Sequence, residues 1–326
     1  MKIYVTRAVF EESLASLRRE AEVHVSPDDR PLSKTEVIDR LKDADGAMTM
    51  LTDPLDRDVL QALPRLKIAS NVAVGFNNVD IALATEFGVM ITNTPGVLTE
   101  TTADFAWALL MAAARRVVEA DAFARAGKWK AWSPTMFLGR DVYGKTLGII
   151  GLGRIGQAVA RRAPGFGMRV IFHNSHPVSE NVRREAGVES VSFEELLRTS
   201  DFISLHVPLS AQTTHLLNER AFAMMKTSCI VVNTARGPVI DERSLVHALK
   251  EKRIAGAGLD VFEREPEIEH DLLKMENVVL APHIGSGSYE TRLKMCMMAA
   301  DNLLSWLRGE RPPNLVNADV WNRRRD

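Results

Sequence analysis

Cysteine is nearly absent from this chain of 326 residues: the two present, Cys229 and Cys296, lie far apart, each in an apolar stretch. That argues against a disulfide framework or a thiolate metal site, and a reducing, cytoplasmic compartment is expected. Net charge is missing too. Lys and Arg number 41 against 42 Asp and Glu, a formal balance of -1, so no general field draws the protein onto nucleic acid or an anionic membrane, and neither is expected as a partner. No apolar run reaches the roughly 20 residues of a membrane-spanning helix, and the strand-like opening 1–6 carries no signal-peptide pattern. What is present is ordinary for a globular chain, 46% hydrophobic and 25% charged. At roughly 150 residues per domain this length predicts two domains with a core each.

Short β-branched runs at 3–6, 23–26, 47–51, 66–70 and 89–92 alternate with stretches of helical spacing such as Leu14, Leu17 and Ala21. This βαβ rhythm predicts a parallel sheet. A long helix is predicted over 104–126, buried on most sides, with Thr99 or Thr101 capping its start and Gly127 marking its end. After an aromatic-rich loop at 129–143, strands are predicted at 146–150, 169–172, 202–206, 230–234, 257–260 and 278–280, nearly all apolar and hence buried on both faces. A final helix at about 289–307 carries Leu293, Met297, Ala300 and Leu304 on one stripe. The expected fold is α/β: two Rossmann-like or flavodoxin-like domains with parallel sheets, separated by a cleft. Residues 99–284 form the dinucleotide-binding domain, and 1–98 with 285–326 form the substrate domain.

GLGRIG at 151–156 is G-x-G-x-x-G, directly behind a predicted strand and opening a predicted helix. Gly151 permits the tight turn, Gly153 lets backbone N–H groups approach a pyrophosphate, and Gly156 lets helix and strand pack closely, with Arg154 and Ile155 completing the loop. A Gly-rich turn without a ligand is the plain alternative, and the strand and helix around the motif favour dinucleotide binding. An Asp or Glu at the end of the second strand would hydrogen-bond the adenosine ribose of NAD and repel an added phosphate. Here Phe172 is followed by His173, Asn174, Ser175, His176 and Pro177, with Arg154 as a nearby cation. NADP(H) is therefore expected ahead of NAD(H), with Asn174, Ser175 and His176 at the ribose.

Arg236, Glu265 and His283 each follow a predicted strand of one parallel sheet, which puts all three on its carboxyl edge beside the pyrophosphate loop. Singly, each reads as a loop cap, a solvated acid or a turn residue. Together they fit hydride transfer to a 2-oxo acid: His283 delivers the proton to the carbonyl oxygen, Glu265 fixes its tautomer, and Arg236 grips the carboxylate in a bidentate pair.

The motifs NVAVGFNNVD (71–80), ITNTPGVLTETTADFAWALLMAAARR (91–116), GLGRIGQAVARR (151–162), NTARGPVIDE (233–242), GAGLDVFEREP (256–266) and APHIGS (281–286) occur in order. On them the whole chain resembles the D-isomer-specific 2-hydroxyacid dehydrogenases. The resemblance implies reduction of small 2-oxo acids, glyoxylate and hydroxypyruvate foremost, with D-lactate-like, phosphoglycerate and formate dehydrogenases as alternatives. It implies the roles given above for Arg236, Glu265 and His283, and a place for Asp260 at the nicotinamide carboxamide. It also puts the backbone of Val74 and Gly75 at the substrate carboxylate, with Leu51 and Ser286 nearby, and no metal. Members that reduce glyoxylate carry a segment similar to 127–149, which implies a homodimer in which Trp132 reaches the neighbouring active site. NADP-using members often have Arg just after the residue matching Asn174, where this chain has Ser175. The rival of another class is a dinucleotide-sensing scaffold or corepressor without turnover.

Overall fold

A computed structural model of the protein describes residues 1–325. The chain divides into two compact units, Met1–Leu98 with Gly287–Asp326, and Thr99–Ser286. The first unit holds β1 (Lys2–Val5), β2 (Glu22–Val25), β3 (Gly46–Thr49), β4 (Ile68–Asn71) and β5 (Met90–Thr92) in the order β2-β1-β3-β4-β5, all parallel. This is the flavodoxin-like order, with its switch point between β1 and β3. β3, β4 and β5 are buried along their whole length. One face packs on Val37, Leu41, Val59 and Leu60. The other packs on Ala299, Ala300 and Leu303 of the returning helix Tyr289–Leu307, to which β4 is tied by the bond from Ser70 Oγ to Ala299 O, 3.0 Å. The tail is clamped by Arg325, whose guanidinium donates to Leu63 O, Leu66 O and Phe87 O at 2.6–2.8 Å.

The second unit holds β6 (Thr146–Ile150), β7 (Arg169–His173), β8 (Glu189–Ser190), β9 (Phe202–Leu205), β10 (Ile230–Asn233), β11 (Gly256–Leu259) and β12 (Val278–Leu280), again all parallel, in the order β12-β11-β10-β9-β6-β7-β8. The order reverses between β6 and β9, so the ligand crevice of such a sheet opens over their carboxyl ends. One face packs on Leu196, Leu197, Leu245 and Leu249, and the other on Ala106, Leu109, Leu110 and Val159.

Three local readings need correction. The helix expected over 104–126 is two helices, Thr99–Arg115 and Val117–Arg125, because Arg116 turns left-handed at φ 54°. The first is buried along one side, while no residue of the second is buried. Apolar composition alone cannot report such a break. The stretch around Leu14 and Leu17 forms two single-turn helices, Glu11–Leu14 and Leu17–Glu20. β8 has no counterpart in the sequence reading, since a two-residue exposed edge strand has no apolar run to reveal it.

Candidate active site

In the second unit the glycine loop lies at the switch point. Gly151 takes φ 96°, and a Cβ there would meet His206 C and O at 2.8 Å, so the position demands glycine. A Cβ on Gly156 would meet Gly151 O at 2.2 Å, which fixes how closely the helix Arg154–Arg162 approaches the strand. Gly153 is the N-cap of that helix and faces open space. The loop and helix N-terminus thus leave a cradle of backbone N–H groups with no side chain in front of it, the arrangement a pyrophosphate requires. Arg154 is exposed and Ile155 half-buried beside it. Asn174 follows β7, and its Oδ1 accepts from Leu152 N–H at 2.6 Å, so it braces the loop. Ser175 and His176 are exposed and joined by a 3.0 Å contact between Oγ and Nδ1. The residues present fit a dinucleotide.

The same edge carries the three ionisable residues. Behind β10, Asn233 accepts from Ala235 N–H and donates to Arg236 O at 2.9 Å, which fixes the turn. Burial pushes the Arg236 guanidinium below its ordinary pKa, while the nearby Glu265 carboxylate pulls the other way. Arg236 also donates to Ala235 O at 2.7 Å. The next residue has no room for a side chain, since a Cβ on Gly237 would sit 1.8 Å from Phe262 O. That contact brings the Arg236 turn against the segment carrying Glu265.

Glu265 Oε1 accepts from Phe262 N–H at 3.1 Å and Oε2 lies 2.8 Å from His283 Nδ1. Burial opposes ionisation of Glu265, but the bond to His283, its charge, the Phe262 N–H and Arg236 together outweigh it and hold the carboxyl below its usual range. His283 is left-handed at φ 54° and half-buried, its N–H donating to Asp260 O at 2.9 Å. Asp260 locks this conformation: its two carboxylate oxygens accept from Ile284 N–H at 2.6 Å and Gly285 N–H at 2.7 Å. Burial pushes the Asp260 carboxyl up despite those bonds. With Nδ1 committed to Glu265, the Nε2 of His283 takes no protein partner among the described residues. The cluster is one group able to carry a proton at Nε2, a carboxylate that fixes its orientation, and a guanidinium for an anion.

In the first unit, Leu51 lies in the turn behind β3 and Val74 and Gly75 in the turn behind β4, all partly exposed. Asn78 donates to Met50 O and Asp53 O at 3.2 and 2.8 Å and so ties the two turns together. Ser286 ends the second unit, half-buried after the Asp260-bound turn. Trp132 is 77% exposed. The sequence reading does not single out the loop-locking role of Asp260 or the asparagines Asn71, Asn78 and Asn93. Asp260, Asn71 and Asn93 signal themselves only by a position at or just past the end of a strand, and Asn78 only by its place in the turn that follows β4.

Residues 107–285 match the family model described as D-isomer specific 2-hydroxyacid dehydrogenase, NAD binding domain. The chain is 56% identical over 321 residues to a glyoxylate reductase of Korarchaeum cryptofilum, covering 98% of this chain and 96% of that one. Its structure is similar to that of a Thermus thermophilus protein, with TM-score 0.91 and 45% identity over 97% of this chain and all of the other. It is likewise similar to an NADPH-dependent glyoxylate/hydroxypyruvate reductase of Sinorhizobium meliloti in complex with NADP and malonate, with TM-score 0.86 and 32% identity, covering 100% of this chain and 98% of that one.

Proposed function

The chain belongs to the D-isomer-specific 2-hydroxyacid dehydrogenase family, and from that premise we propose that it reduces small 2-oxo acids with a nicotinamide dinucleotide, glyoxylate to glycolate and hydroxypyruvate to D-glycerate. The observation that carries this reading is the 2.8 Å pairing of Glu265 with His283 beside the half-buried Arg236. When bound, the reduced dinucleotide supplies the hydride. The residues of this chain supply the rest. The glycine loop 151–156 holds the pyrophosphate, and Asp260 keeps lone pairs for the carboxamide beyond those used by Ile284 and Gly285. Arg236 binds the substrate carboxylate and polarises the neighbouring carbonyl. His283 donates its Nε2 proton to the carbonyl oxygen as C2 gains the hydride, and Glu265 stabilises the imidazolium before transfer. Val74 and Gly75 serve the carboxylate through backbone N–H groups, while Leu51, Ser286 and Trp132 limit the room for the substrate side chain.

NADP(H) is proposed ahead of NAD(H), because no acid follows β7 and Arg154, Ser175 and His176 are exposed where a ribose phosphate would lie. We propose a cytoplasmic homodimer. Six large apolar side chains between residues 117 and 143, Val117, Val118, Trp129, Trp132, Leu138 and Tyr143, remain exposed and are available to a partner copy. In that dimer Trp132 reaches the partner's active site.

The test is direct: purified protein with NADPH or NADH and glyoxylate or hydroxypyruvate, followed by coenzyme absorbance. Turnover is expected, faster with NADPH. Coenzyme binding without turnover on any 2-oxo acid would favour a sensing scaffold instead.

A further inference from the structure

We propose that Asn71, Asn78 and Asn93 are positioning residues that aim three successive backbone N–H groups, those of Val74, Gly75 and Phe76, at the carboxylate of the 2-oxo acid. This rests on the reading above that the turn behind β4 receives that carboxylate. In a trans peptide the N–H of one residue points opposite to the C=O of the residue before it, and every peptide of this turn is trans. Fixing three carbonyls on one side therefore fixes three N–H groups on the other.

The unit fixes all three. Ala73 O accepts from Thr94 N–H at 2.9 Å. Val74 O accepts from Asn93 Nδ2 at 2.8 Å, and Gly75 O from Asn71 Nδ2 at 3.2 Å. Each carbonyl is drawn into the unit, and the opposed N–H groups of Val74, Gly75 and Phe76 take no partner among the described residues. Successive outward N–H groups form an anion-binding concavity. It is held by neutral donors, which orient the turn without offering a competing charge to the substrate.

The donors are themselves anchored. Asn71 is fully buried at the end of β4; its second Nδ2 hydrogen goes to Asn78 Oδ1 at 3.2 Å, and its Oδ1 accepts from Thr49 Oγ1 at 3.4 Å. Asn78 passes the constraint on to the Leu51 turn through Met50 O and Asp53 O. That turn is closed in addition by Asp53, whose Oδ2 accepts from Met50 N–H at 2.7 Å and from Thr6 Oγ1 at 2.5 Å. Asn93 is held by Asn302 Nδ2 at its carbonyl, 3.3 Å away, and its N–H donates to Asn314 O, so it is braced against the helix Tyr289–Leu307 and the chain beyond it. The amides thus make one rigid piece of the turn behind β4 and the Leu51 turn behind β3.

The test uses the full-length protein with saturating coenzyme and oxalate, which carries carboxylates but no reducible carbonyl. In wild type, the amide signals of Val74 and Gly75 and the side-chain NH2 signal of Asn93 should all shift as oxalate binds. Asn93→Ala and Asn93→Asp should each raise the KM for glyoxylate and the Kd for oxalate about tenfold or more, with kcat falling less than KM rises and the coenzyme Kd within twofold. Asn93→Asp should be the worse, because a carboxylate cannot donate to Val74 O and repels the substrate. Unchanged KM and oxalate affinity in both variants would overturn the positioning role, while shifted Val74 and Gly75 amides would leave the carboxylate reading standing. Should the variants not fold, an Asn93 NH2 signal indifferent to oxalate in wild type overturns the proposal. Val74 and Gly75 amides that stay put overturn the carboxylate reading and this inference with it.

Discussion

Arg236 is a guanidinium deprived of much of its water, and this makes its shape as well as its charge matter. A planar fork can hold a carboxylate by two parallel bonds, whereas an ammonium is a point charge that shifts its pKa readily on burial. Arg236→Lys is expected to lower kcat/KM about 100-fold or more with the coenzyme Kd unchanged, as initial-rate assays and fluorescence titration would read. Kinetics like those of wild type would remove Arg236 from the site. A second residue gives a pH prediction for the fold. His206 is half-buried, with Nε2 2.8 Å from Ser204 Oγ, and desolvation holds its pKa down to about 3. An unfolded His takes up its proton near pH 6.5. Between those values the unfolded chain binds more protons than the folded one, so stability must fall as pH drops across that window. His206→Asn should flatten the dependence of Tm on pH between about 6.5 and 4, measured by thermal unfolding at successive pH values; an unaltered slope would show that other groups set it.

Among the elements, the proposed site residues other than Trp132 follow the carboxyl ends of parallel strands, and the strand's burial fixes where the next residue emerges. β7 ends at His173, and Asn174 then accepts from Leu152 N–H, which couples the end of β7, proposed above to meet the ribose, to the glycine loop. An aspartate there could keep that bond while placing a negative charge where the ribose is proposed to sit. Asn174→Asp is therefore expected to raise the KM for NADPH relative to NADH about tenfold, by initial-rate kinetics with both coenzymes, and an unchanged ratio would place the ribose elsewhere. Most strands are legible in the sequence because continuous apolar runs such as Ile230–Asn233 need burial on both faces. β8 and the break at Arg116 are not legible: the first has too little apolar content, and the second depends on a single left-handed residue flanked on both sides by helix.

For the molecule as a whole, the exposed apolar residues between 117 and 143 set the expectation of a dimer. Sedimentation equilibrium should return twice the chain mass of 36.2 kDa, and Val118→Glu combined with Trp132→Ala should shift the population toward monomer with loss of glyoxylate reduction. A wild-type monomer with full activity would exclude the shared site. The alternation of strand and helix, the glycine motif at 151–156 and the placement of Arg236, Glu265 and His283 behind strands of one sheet can all be read along the chain, because apolar periodicity and motif spacing are local properties. Folding had to bring distant residues together before Asp260 could spend its carboxylate on the turn carrying His283, or three asparagines could hold the carbonyls of the turn behind β4. Hydrogen bonds between residues 19 and 209 positions apart, as from Asn93 to Val74 and from Asn302 to Asn93, follow from the packing of strands and helices, and no local pattern in the sequence encodes them.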